Sequence, residues 1–156
     1  MKFSSITDVG NVREINEDDY YIDSQTEKLF MVADGMGGHK AGDVASKMVI
    51  NVLKNYFLKN INEDMELFEI KTKLLKGIKI ANEEVYKLAS KYKKLNGMGT
   101  TLNLLYVGKK NLLFLNVGDS RSYVYYNNKL QKITKDHSLV EQLLSNGTIT
   151  ENEKKK

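Results

Sequence analysis

The chain has 156 residues, 41% of them hydrophobic and 28% charged, which is enough to bury a core as one globular domain over 1–156. It has no cysteine, which excludes disulfides, Cys-ligated zinc and a cysteine nucleophile and fits a reducing, cytoplasmic setting. The net charge of +4 comes without a basic stripe interleaved with aromatics, so nucleic acid is not an expected partner. No apolar run reaches membrane-spanning length and the N-terminus lacks a signal-peptide core, so no membrane is expected either.

In chain order, residues 3–8 are short and mixed and suit an edge strand. Residues 8–19 are polar and turn-rich, with Arg13 close to Glu17, Asp18 and Asp19. Tyr20-Tyr21-Ile22 reads as a strand, Ser24 to Lys28 as a hairpin turn, and Leu29 to Ala33 as a strand buried on both faces. Asp34 then stands at a strand end, followed by Gly35, Gly37 and Gly38, which suit close backbone approach to a ligand. Val44, Met48, Val49, Val52, Leu53, Tyr56 and Phe57 recur at helical spacing and predict a helix over 43–58 with Asp43 as its N-cap. Leu67, Ile70, Leu74, Ile78, Ala81, Val85 and Leu88 mark a second helix, in which Gly77 costs about 1 kcal/mol against alanine. From Gly99 the period changes to two. Strands are expected over 101–107, 111–117, 121–126 and 130–134, as a meander with Asn127-Asn128 as a two-residue hairpin loop. The Tyr123, Tyr125, Tyr126 cluster suits sheet packing. Leu139, Leu143 and Leu144 predict a short helix ending at the C-cap signal Asn146-Gly147. Strands, two long helices and then antiparallel strands imply an α+β fold with helices packed on sheet, not a doubly wound one.

Glycine beside an acid at a strand end occurs twice, at Asp34-Gly35 and at Gly118-Asp119. A carboxylate at the edge of a core is costly unless it is paired, hydrogen-bonded or bound to a cation. Oxygen-only ligands favour magnesium or manganese, and two histidines, His39 and His137, make no zinc signature. Arg13 beside the acids suits a phosphate ester, because its fork matches phosphate oxygens. Bland readings stand beside these: Asp34 as a turn cap, Asp119 as a turn-former with Arg121 as its surface partner, and His39 and His137 as structural. A dinucleotide loop needs glycine at position 40, where Lys40 stands instead.

Asp8-x-Gly10-x-x-Arg13-x-x-Asn16-Glu17-Asp18 and Val32-Ala33-Asp34-Gly35-Met36-Gly37-Gly38-His39 resemble the opening motifs of the metal-dependent serine/threonine phosphatases, the PPM or protein phosphatase type 2C family. Gly99-Thr100-Thr101, Gly118-Asp119-Ser120-Arg121 and Thr134-x-Asp136-His137-Ser138 match that family's next motifs in the same order. The form Asp-Gly-Met-Gly-Gly-His is similar to the bacterial branch. The resemblance implies an antiparallel β-sandwich flanked by antiparallel helices, in α-β-β-α layers. It also implies a hydrolase of signalling pathways acting on phosphoserine and phosphothreonine by metal-activated water, with no phosphoenzyme. Its partners would be phosphorylated proteins, substrates of a cognate serine/threonine kinase. Arg13 would bind the substrate phosphate. Asp34 would bridge two Mn2+ or Mg2+ ions, and the Gly35 carbonyl would bind one of them. Glu17 and Asp18 would orient metal-bound waters, and Asp119 would help hold a third ion.

Two departures qualify the resemblance. Met36 stands where some members carry a histidine proposed as general acid. The family's later Ser-Asp-Gly and Asp-Asn motifs, which supply two further metal-binding aspartates, have no match after Asp136. The chain therefore reads as a C-terminally incomplete domain that ends before its last metal-binding motifs. Little phosphatase activity is expected of it alone, and its sheet edges are expected to stay unpaired. The alternative is a catalytically inactive remnant that keeps a partial metal site and binds phosphoproteins or a partner.

Overall fold

The structure is a computed structural model and describes residues 1–37, 41–138, 141, 143–144 and 146–148. Its elements run β1 (Asp18–Ile22), β2 (Leu29–Met36), α1 (Gly42–Asn60), α2 (Leu67–Lys91), a 3-10 turn (Lys93–Leu95), β3 (Gly99–Thr100), β4 (Leu102–Val107), β5 (Leu112–Val117), β6 (Tyr123–Tyr126) and β7 (Lys129–Lys132). The fold is α+β, as expected. One sheet has the order β1-β2-β4-β5, with β3 also paired to β2; β6 and β7 form a second, two-stranded sheet. Every pairing is antiparallel, with Asp18 opposite Asp34 across β1 and β2. Among the described residues no helix is long and apolar enough to cross a membrane.

Alternation decides which face of β2 meets the helices. Leu29, Met31 and Ala33 are buried, with Leu102, Leu104 and Tyr106 of β4 beside them. Above them lie Ala45, Val49, Ile50, Leu53 and Phe57 of α1, and Ile70, Leu74, Ala81 and Val85 of α2. The Phe57 and Tyr106 rings meet at 6.1 Å. Gly77 explains its own presence in a helix: a Cβ there would stand 2.8 Å from the Tyr56 ring and 3.2 Å from Leu53. Its helix-propensity cost is what lets α1 and α2 approach.

Several expectations are corrected. β2 is buried on one face only, because little covers its other face: Phe30 is half-buried and Val32 is 53% exposed. Asp34 lies inside the strand, which runs on to Met36, since Gly35 and Met36 still pair with β3. Residues 3–8 form no strand. Phe3 packs edge-on to Phe30, but the backbone around it finds no ladder partner and Ile6 is almost fully exposed. The meander breaks after β5, where Gly118 takes φ +95° and carries the chain off to the separate β6–β7 hairpin. The three tyrosines do not pack in a sheet core; Tyr123, Tyr125 and Tyr126 are exposed. The Asn127-Asn128 loop is as expected, with both residues at positive φ, 49° and 57°. Leu143 and Leu144 are helical. Gly147 closes that turn at φ +71°, with Gly147 N–H bonding the Leu144 carbonyl and Thr148 N–H the Leu143 carbonyl. Leu139, His39, Gly38, Lys40 and the terminal lysines lie outside the described residues.

Candidate active site

The site forms where β1, β2, β3 and the turn after β5 meet. Register puts Asp18 directly across from Asp34. Although Asp34 reaches solvent, partial burial first, then the charge and hydrogen bond of Asp18 and the charge of Asp119, hold its carboxyl above the ordinary range. Arg13 pulls the other way. The structure thus brings Arg13, Asp18, Asp34 and Asp119 into one electrostatic neighbourhood. Among the described residues, no three Asp, Glu, His or Cys side chains converge closely enough to hold a metal ion.

Hydrogen bonds fix the backbone beneath Asp34. Its N–H donates to the Thr101 hydroxyl at 3.1 Å. Its carbonyl accepts from Thr101 N–H at 2.9 Å and from the Thr100 hydroxyl at 3.0 Å. The Thr101 hydroxyl also meets the Ser120 hydroxyl at 2.7 Å, so one threonine ties the Asp34 strand to the turn that carries Asp119. A Cβ on Gly118 would lie 2.8 Å from the Thr101 side chain, so this contact needs glycine for space as well as for φ. His137 N–H and the Asn116 amide both donate to the Gly118 carbonyl, at 2.8 and 3.1 Å. His137 therefore takes part in the turn through its backbone.

Glu17 bridges Arg13 and the start of α1. Its side chain is largely buried; Oε2 accepts from Arg13 Nη1 at 2.9 Å and Oε1 from Gly42 N–H at 3.2 Å. It thereby does the capping expected of Asp43. Helix α1 starts a residue earlier, at Gly42, and its N-cap position, Ala41, makes no side-chain cap bond. Asp43 sits in the first turn and pairs with Lys47 at 3.0 Å. A Cβ on Gly42 would lie 2.6 Å from Glu17 Oε1, so glycine is what lets the carboxylate reach the helix end. Arg121 does not pair with Asp119. It forks onto Asp136, with Nε and Nη2 at 3.0 and 2.9 Å, while Lys132 lies 2.6 Å from the other oxygen of Asp136. That Arg121 contact, first, and the Lys132 contact hold the Asp136 carboxyl below the usual range.

Thr101, Ser120 and Ser46 hold the site together, although the sequence assigns them no role. Ser46 left one visible trace, a hydroxyl within the apolar stripe of α1.

The family model described as Protein phosphatase 2C matches residues 11–153. The chain belongs to the protein phosphatase 2C family. The serine/threonine phosphatase stp of Listeria welshimeri is 42% identical over 146 residues, covering 92% of this chain and 58% of that protein. The crystal structure of serine/threonine phosphatase Stp1 from Staphylococcus aureus has a TM-score of 0.83 at 40% identity, covering 95% of this chain and 58% of that one. The catalytic domain of the phosphatase PstP, solved in complex with two manganese ions, has a TM-score of 0.74 at 35% identity, covering 92% and 59%. This protein phosphatase 2C chain therefore spans about three-fifths of the length of the curated relatives it matches. The antiparallel sheets and paired helices agree with the fold of these neighbours.

Proposed function

We propose that this chain carries a cation-binding and phosphate-binding part of a phosphatase that hydrolyses phosphoserine and phosphothreonine in proteins, the substrates of a serine/threonine kinase. The observation that carries this reading is Asp18 set directly across from Asp34 by strand register, with Asp119 and Arg13 in the same electrostatic neighbourhood. Crowded carboxyl groups with oxygen donors alone are a cost that a hard divalent cation offsets. The donors fit manganese or magnesium held by one or two carboxylates with waters completing the shell, rather than a cage made wholly of protein. Asp34, Asp18 and the Gly35 carbonyl would hold such an ion, and Asp119 would add charge from the neighbouring turn. Bound there, it would supply charge neutralisation and an activated water for attack on phosphorus. The chain's own groups do the rest. Arg13, 71% exposed at its side chain, offers the free edge of its guanidinium to a phosphate while Glu17 steadies the other edge. Thr101 sets the Asp34 strand against the Asp119 turn. A family match and relatives that are phosphatases support the reaction class, and the cysteine-free composition supports a cytoplasmic place of action.

The test is calorimetric titration of the chain with manganese, run beside phosphopeptide hydrolysis. Asp34→Asn should abolish manganese binding and any turnover while the fold survives, because a neutral amide cannot share charge with a divalent ion. Manganese affinity unchanged in Asp34→Asn would move the site elsewhere.

A further inference from the structure

At the junction of β1, β2 and α1 three backbones touch with no side chain between them. A Cβ on Gly35 would lie 2.2 Å from the Gly42 carbonyl oxygen and 2.6 Å from that of Glu17. Into this junction reaches one hydroxyl, that of Ser46. The residue is fully buried, on the face where α1 otherwise presents Ala45, Val49, Ile50 and Leu53. A buried hydroxyl on a helix ordinarily bonds a carbonyl of its own preceding turn. Ser46 instead makes its shorter contact outside the helix, 2.7 Å to the Glu17 carbonyl, and only a long one, 3.3 Å, to Asp43 O. A serine has a single donor hydrogen, and the geometry gives it to Glu17.

We propose that Ser46 is a positioning residue that orients the Asp34–Gly35 peptide through the Glu17 carbonyl. That carbonyl has two lone pairs. One takes the Ser46 hydroxyl and the other takes Gly35 N–H at 3.1 Å. The Asp34–Gly35 peptide is then held along both edges, its N–H by Glu17 and its C=O by Thr100 and Thr101. Loosening this hold would free the β2 backbone at the point where Asp34 faces Asp18 across the ladder. Glu17 is anchored in turn, since its side chain holds Gly42 N–H at the start of the helix that carries Ser46. Ser46, Glu17, Gly35 and Gly42 therefore close a loop of contacts linking α1 to the acid pair. Removing the hydroxyl leaves the part-buried Glu17 carbonyl with one of its two hydrogen bonds.

The consequence for cation binding rests on the function proposed above; the positioning does not. The experiment compares Ser46→Ala with Ser46→Thr, which keeps the hydroxyl, and with Val49→Ala, an apolar truncation on the same buried face that serves as a stability control. Two quantities are read on the whole chain: the exchange rate of Gly35 N–H by NMR, and free manganese by electron paramagnetic resonance during titration. In Ser46→Ala, Gly35 N–H should exchange about tenfold faster, the factor expected for one lost buried hydrogen bond. Manganese affinity should fall by a similar factor. Ser46→Thr should restore both, and Val49→Ala should change neither at matched thermal stability. Gly35 exchange in Ser46→Ala no faster than in Val49→Ala overturns the assignment, whatever manganese does. If the unmodified chain binds no manganese, the proposed function fails and the exchange rates alone decide the role of Ser46.

Discussion

The two sheets are built from similar material and end up in opposite surroundings. β4 reads Leu-Asn-Leu-Leu-Tyr-Val and buries Leu102, Leu104 and Tyr106 to 3% exposure or less under α1 and α2. β6 reads Tyr-Val-Tyr-Tyr and leaves Tyr123, Tyr125 and Tyr126 47–73% exposed, with Leu130 of β7 at 68%. Both are strands because alternation and β-branched or aromatic residues make them so. Only one of them has a second layer among the described residues. The hairpin is held to the rest of the molecule by polar links instead, Ser122 Oγ to Asn103 at 3.0 Å and the Asn116 amide to the Lys135 carbonyl at 3.1 Å, while Arg121 and Asp136 close its base. Apolar burial holds the first sheet and hydrogen bonds hold the second. Burial scales with area, whereas exposed ion pairs contribute little each.

The sharpest way to break this contrast is to cut one leucine from each sheet. Leu104→Ala should cost about 2–5 kcal/mol in urea denaturation, the range for a buried leucine whose cavity cannot fully collapse. Leu130→Ala should stay within about 0.5 kcal/mol, as an exposed substitution. Equal losses would mean that the hairpin is as firmly packed as the core, contrary to its exposure.

A smaller effect tests how tightly the covered sheet is roofed. Gly77→Ala gains about 1 kcal/mol of helix propensity but forces a methyl against Tyr56, and overpacking of this kind costs about 1–3 kcal/mol. The expected result is a melting temperature unchanged or lowered. A clear rise would show that α1 and α2 part without penalty and that the roof is looser than the 2.8 Å approach implies.

The smallest effect concerns the ion pairs at the base of the hairpin. Arg121, first, and Lys132 hold Asp136 below the ordinary aspartate value near 3.8. A depressed carboxyl contributes stability above that value and loses it as pH falls through the lower, folded one. Asp136→Asn should therefore melt slightly below the parent chain at pH 7, and the difference should begin to shrink only as pH falls below 3.8. A difference that does not shrink at all on acidification would assign the effect to packing rather than to the ion pairs.

Much of the architecture was legible before any coordinates. The helical stripes of α1 and α2, the period-two strands, the Asn127-Asn128 loop and the Gly147 cap follow from spacing and from local backbone sterics, which act over a few residues. The ordered motifs marked Arg13, Asp34 and Asp119 as candidates and named the family. Tertiary structure decided the partnerships. Asp18 faces Asp34 because of strand register, Glu17 rather than Asp43 meets the start of α1, and Arg121 turns to Asp136 rather than Asp119. Thr101 and Ser46 gained roles only when distant backbones came within reach of their hydroxyls. The reason is one of range. Periodicity and turn preference are written in adjacent residues, while a hydrogen bond between residues 17 and 46 depends on the sum of many weak contacts that bring two elements together.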